Sequence, residues 1–126
     1  MREIVKKFIQ IEEETAREMG AYTFFALLLR ENSANRWDIV VASKWINEDK
    51  SAARSYLAKK VQDALDVTEI VKISHIAILD NDLFEVPEFL EDVNLQHGST
   101  RFKDEEFSGQ QIERGYVITI NSNQAA

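Results

Sequence analysis

Two apolar segments separated by a short polar pentad dominate residues 21–45, AYTFFALLLRENSANRWDIVVASKW. Both segments are rich in aromatic and β-branched residues, and residues 31–35 are almost entirely polar. This pattern is typical of a β-hairpin with a slightly long turn. Because the first segment is nearly all apolar from Tyr22 to Leu29, we expect it to be an interior strand with both faces covered.

The rest of the chain alternates between helical and strand-like patterns. Residues 2–19 and residues 51–65 carry apolar side chains at helical spacing, which predicts two amphipathic helices. Four further elements are predicted: the second hairpin strand over 36–45, a third strand over 71–80, a short helix over 88–93 that begins after Pro87, and a last strand over 116–121. Residues 94–109 show the least regular pattern.

These elements predict an α+β fold in the order α-β-β-α-β-α-β-β. We expect a mixed sheet of four to five strands, opened by the hairpin, with the two main helices packed on it. The helix between the hairpin and the third strand is a crossover, which allows that strand to pair in parallel. Residues 1–121 are predicted to form a single domain, and residues 122–126 a frayed tail.

Composition excludes several classes of function. The chain has no cysteine, which rules out thiol catalysis and thiolate metal sites. Its net charge of −7 and its lack of a dense basic run argue against nucleic-acid binding. No apolar run approaches the roughly 18 residues of a membrane span, and the N-terminus lacks a signal-peptide pattern. We therefore expect a cytoplasmic protein that does not enter a membrane.

Carboxylates close to strand ends are the sharpest chemical indication in the sequence. Asp38 lies in the second predicted strand, and Asp80 and Asp82 lie where the third strand ends. Acidic side chains on neighbouring strands can together hold Mg²⁺ for phosphodiester hydrolysis. The alternative is that Asp38 is a surface charge on a strand near the sheet edge and that the other two form a turn.

The two histidines are the natural candidates for a general base near neutral pH. His97 precedes Gly98 in the irregular segment, where functional residues concentrate, whereas His75 lies inside a predicted strand. The four glycines are too scattered to form a phosphate-binding loop, so no nucleotide cofactor is expected. No nucleophile-elbow glycine pattern surrounds Ser99 or Ser108, so the sequence does not predict an activated serine nucleophile.

Two tryptophans flank the second predicted strand. Trp37 and Trp45 are eight residues apart, which would place them on the same side of a continuous strand. Trp45 is a candidate anchor for a partner protein or a second subunit. The alternative is that Trp37 belongs to the core and Trp45 covers the strand end.

The stretch WDIVVASKWI at residues 37–46 and the stretch IAILD at residues 76–80 resemble a family of short, uncharacterised prokaryotic proteins. The order of elements is also similar, and the resemblance extends over nearly the whole chain. It implies a stand-alone domain, and it assigns no activity and no catalytic residue.

The sequence supports two hypotheses for the function. The residues that stand out are apolar and aromatic, which favours a non-enzymatic protein-interaction domain or a self-associating domain without a cofactor. The other hypothesis is a Mg²⁺-dependent nuclease or phosphohydrolase that uses Asp38 and Asp80, with His97 as a further catalytic candidate.

Overall fold

The computed structural model describes residues 1–121, and the predicted tail at 122–126 lies outside them. The strands are β1 (Phe24–Arg30), β2 (Trp37–Ala42), β3 (Ile73–Ile78), β4 (Thr100–Phe107) and β5 (Gln110–Ile120). The helices are α1 (Arg2–Met19), α2 (Lys44–Glu48), α3 (Lys50–Ala64) and α4 (Val67–Ile70), with a 3₁₀ turn at Glu88–Leu90. Within these residues, no helix has the length and apolar character needed to cross a membrane.

The five strands form one mixed sheet in the order β3-β2-β1-β5-β4. β2 and β3 are parallel, and the other neighbouring pairs are antiparallel. The predicted hairpin is confirmed, because Phe24 pairs with Ala42 and Leu28 pairs with Asp38. The predicted α+β class and mixed sheet are also confirmed, and β1 is the central strand.

Four local predictions were wrong. The second strand ends at Ala42, because the Ser43 hydroxyl accepts a hydrogen bond from the Trp45 backbone N–H and caps α2. β2 is also an interior strand with both faces buried. The segment expected to be irregular contains β4, whose sequence TRFKDEEF has the charged character of an edge strand. The last strand begins at Gln110, well before the predicted start.

One face of the sheet carries the helices. Phe8 and Ile11 of α1 are buried against this face, and Leu57 and Val61 of α3 are buried beside them. Alternate residues of the strands complete this core. They include Phe25, Leu27, Ile39, Val41 and Ile118. The apolar side chains that repeat every 3.6 residues in the helices therefore pack against those that repeat every two residues in the strands.

The opposite face is covered by the tip of the β4–β5 hairpin and by the segment 79–95. β4 bends near Asp104, where φ is 54°, and Phe107 at the hairpin tip is buried among β1 side chains. Gly115 makes room for the ring of its register partner Phe102, because a Cβ there would come within 2.4 Å of two Phe102 ring atoms. The hairpin tip therefore folds back over the sheet.

The exposed edges of the sheet are protected by charge. The side chains of Arg36 and Arg54 donate hydrogen bonds to the carbonyls of Ile73 and Ile76 in edge strand β3. The other edge strand, β4, carries a run of charged residues. Both devices discourage the pairing of an additional strand.

Candidate binding groove

A groove of about 940 Å³ runs between the segment 79–89 and the tip of the β4–β5 hairpin. Its wall and floor come from two stretches of chain that do not pair with each other as strands. The lining residues are Leu79, Asp80, Leu83, Phe84, Glu85, Val86, Pro87, Glu88, Phe89, Glu105, Glu106, Phe107 and Ser108. We call this feature the acidic groove, because every charged residue in that set is an acid.

Aromatic rings form the base of the acidic groove. Phe24 of β1 is stacked between Phe84 and Phe107, with ring centroids 5.1 Å and 5.4 Å away respectively. Phe89 contacts Phe102 at a centroid distance of 4.7 Å. Leu83 at the rim is 77% exposed. The groove therefore offers apolar surface, and its walls are fixed to the core by packed rings.

Five carboxylates surround this apolar base. Across residues 1–121, only Asp80 among them forms an ion pair within the chain, with Lys50 at 3.6 Å. Glu85, Glu88 and Glu106 are exposed, and Glu105 is half-buried. Like charges gathered around a concave apolar surface concentrate a negative potential there.

Asp80 fixes one end of the groove wall. Its carboxylate accepts hydrogen bonds from Asn47 Nδ2 at 3.0 Å and from the Asp82 backbone N–H at 2.9 Å. Asn47 Oδ1 in turn accepts from the Asn81 backbone N–H at 3.0 Å. The bond from Asn47, followed by that from Asp82, lowers the pKa of Asp80 below its ordinary value. Asp80 is thus a structural anchor for the turn.

A smaller pocket of about 230 Å³ continues from the acidic groove and shares Leu79, Phe107 and Ser108 with it. We call it the side pocket. Arg30, Asp38 and His75 lie in it. Arg30 Nε donates to the Asp38 carboxylate at 2.6 Å, and the hydrogen bond and negative charge of Asp38 raise the pKa of the guanidinium. His75 Nδ1 lies 3.2 Å from the same carboxylate.

The structure does not bring the predicted site residues together. Asp38 pairs in register with His75, and Asp80 lies five residues further along the chain, about 16 Å away at roughly 3.3 Å per strand residue. His97 contacts α1 on the opposite face of the sheet. Among residues 1–121, no group of three or more metal-ligating side chains is arranged to hold an ion.

His97 belongs to a buried polar cluster. Its Nδ1 contacts Oε1 of Glu12, which is fully buried in α1, and Thr119 Oγ1 donates to Oε2 of the same carboxylate at 2.6 Å. The His97 backbone N–H donates to Thr119 Oγ1 at 3.1 Å. Sequence reasoning missed Glu12, although its place four residues after Phe8 put it on the apolar face of the helix.

Trp45 is half-buried and packs against the core on the helix side of the sheet. Its ring meets Tyr22 at 5.7 Å and Tyr56 at 5.9 Å, both edge to face. It lies in α2, so it does not share a strand face with Trp37. The two tryptophans contact different neighbours, because Trp37 packs against Tyr116 and under Arg114.

Comparison of the chain with family models, with curated proteins and with solved structures found no match.

Proposed function

We propose that this protein is a protein-interaction domain that binds a basic, partly apolar segment of a partner protein in the acidic groove. The observation that carries the proposal is the combination of an apolar aromatic base with a rim of five carboxylates and no lining Lys or Arg. Lys and Arg side chains would meet the carboxylates, and apolar side chains between them would cover the rings.

The volume of the acidic groove allows a large occupant. At about 940 Å³ it lies near the upper end of the range of roughly 300–1,000 Å³ for small-molecule pockets. Exposed Leu83 and half-buried Phe84 and Phe89 also present apolar area along its length. Apolar and aromatic anchors of this kind supply most of the affinity in peptide recognition.

Charge favours a basic partner over a second copy of the chain. The chain has a net charge of −7, so two copies repel each other at long range. The edge strands are also protected by Arg36, by Arg54 and by the charges of β4, which disfavours association by strand addition. Binding through the acidic groove avoids both obstacles.

Selection from a random peptide library displayed with free carboxyl ends tests the proposal. We expect the selected sequences to alternate Lys or Arg with apolar residues. The double variant Glu88→Lys/Glu106→Lys should weaken binding of these peptides about tenfold or more, because two rim carboxylates become repulsive. Fluorescence anisotropy with the selected peptides, labelled at the amino end, measures the change.

The matched control is Glu91→Lys/Asp92→Lys, which changes the net charge by the same amount at exposed residues outside the groove lining. It should retain most of the affinity. Equal weakening by both double variants, or selection of acidic sequences, would contradict a specific groove. Analytical ultracentrifugation of the protein without peptide tests the other outcome, in which a second copy occupies the groove. A dimer in this measurement would support that outcome and contradict the proposal.

A further inference from the structure

The side pocket lies at one end of the acidic groove and has a different chemistry. Its volume of about 230 Å³ is below the range for drug-sized ligands, so it suits one end of a larger ligand. Leu28, Val40 and Ala77 line its walls. His75 is the register partner of Asp38 on β3, and Arg30 lies two residues beyond Leu28, the register partner of Asp38 on β1. An occupant entering from the groove would pass apolar walls before meeting these polar groups.

Asp38 holds the Arg30 guanidinium in place. The Asp38 side chain is 7% exposed, and it accepts from Arg30 Nε at 2.6 Å and from Nη2 at 3.4 Å. Arginine carries five N–H donors, so this contact leaves several available. In the part of the chain that the structure describes, Arg30 Nη1 and His75 Nε2 have no hydrogen-bond partner. The Arg30 side chain is 34% exposed and lines the pocket.

Two further donors complete the pocket. Ser108 and Gln110, whose side chains carry a hydroxyl and an amide, both line it. Ser108 adopts a φ of 51° in the tight hairpin turn, which its side chain does not favour. The side pocket therefore offers several donors beside the Arg30–Asp38 ion pair. A ligand group with acceptor oxygens matches it.

We infer that the side pocket binds the terminal carboxylate of the segment held in the acidic groove, an inference that rests on the proposed function. The buried Asp38 carboxylate holds one edge of the Arg30 guanidinium. The remaining N–H donors lie in the same plane and form a fork that fits the carboxylate of a ligand. The apolar walls then accept the side chain of the last residue. The rim of acids and the donor-rich end together orient the occupant, with basic residues in the groove and the carboxyl end at Arg30.

Each selected peptide, made with a free carboxylate and as the C-terminal amide, tests this inference. We expect the amide to bind about tenfold more weakly, because charge-assisted bonds to Arg30 are lost. Equal affinities would overturn the side-pocket assignment while leaving the groove function intact. Failure of both forms to bind would contradict the proposed function itself.

The variant Arg30→Lys provides the second arm. It keeps a positive charge beside the buried Asp38, so the fold is maintained, but it removes the planar fork. We expect it to reduce the affinity ratio between acid and amide peptides severalfold. Gln110→Ala at an exposed position should reduce the same ratio. An unchanged ratio in both variants would overturn the inference, and a melting curve confirms that each variant is folded.

Discussion

The rings of Phe24 and Phe107 stack, with centroids 5.4 Å apart and an angle of 12° between their planes. In the sheet, however, the two residues pair with opposite ends of β5. Phe24 pairs with Ile120 in register, and Phe107 pairs with Gln110. The two rings meet because β4 and β5 bend and carry the hairpin tip back over the sheet. The stack therefore fixes the tip, and the tip forms one wall of the acidic groove.

Phe107→Ala should destabilise the protein by about 3 kcal/mol, because it removes a buried ring and leaves a cavity beside Phe24. Phe107→Leu keeps most of the volume and should cost less than about 1.5 kcal/mol. Urea denaturation followed by circular dichroism measures both values. A free energy of unfolding for Phe107→Ala within about 0.5 kcal/mol of the parent would show that the stack does not hold the tip.

His97→Asn should destabilise the protein by about 2 kcal/mol, because Glu12 loses a partner inside the core. Asparagine tolerates the left-handed conformation found at residue 97, where φ is 53°, so the loss reports on the side-chain contact. Ser99→Ala on the same loop is the control and should be nearly neutral. A double-mutant cycle with Glu12→Gln should give a coupling above about 0.5 kcal/mol. Additive effects would contradict direct pairing.

Stability should fall in acid, partly through Glu69. The hydrogen bond from Lys7 lowers the pKa of Glu69 below its ordinary value of 4.5, so the unfolded state takes up the proton first as pH falls. The contribution of Glu69 is therefore complete above pH 4.5 and is lost as pH falls through the folded-state pKa. Glu69→Gln keeps the capping of α4 but removes the titration. Its melting temperature should depend less steeply on pH below 4.5, and parallel curves would contradict this.

Removing the arginines that cover edge strand β3 should promote self-association. The variant Arg36→Ala/Arg54→Ala frees the carbonyls of Ile73 and Ile76 for pairing with another chain. We expect a larger species in analytical ultracentrifugation. Lys59→Ala, at an exposed helix position, is the control and should leave the species unchanged. A monomeric double variant would show that the arginines do not protect this edge.

Sequence patterns predicted the parts of the fold where burial follows a simple period. The hairpin from β1 to β2 and the amphipathic helices α1 and α3 were found because apolar residues repeat along them. β4 was missed because an edge strand with a bend at Asp104 carries charges in place of apolar alternation. The end of β2 was missed because Ser43 stops the strand by capping α2, which a continuous apolar run conceals.

The candidate site was less predictable than the fold. Asp38 was singled out in the sequence, but its partners Arg30 and His75 come from two different neighbouring strands, so only the sheet order brings the three together. The acidic groove depends on the folded-back hairpin tip, and no local pattern of residues encodes that contact. The acids that line it occur in two stretches, residues 80–88 and 105–106, which the sequence alone gives no reason to join.

The most direct test of the acidic groove is a titration of isotope-labelled protein with a selected basic peptide, followed by amide chemical shifts in NMR. We expect the largest shifts in residues 79–89 and 105–108. Residues 101, 103 and 114 have basic side chains on the β4–β5 hairpin, and the chemical shifts of their amides should change little. Shifts centred on those basic residues, or spread evenly over the surface, would contradict the groove as the binding site.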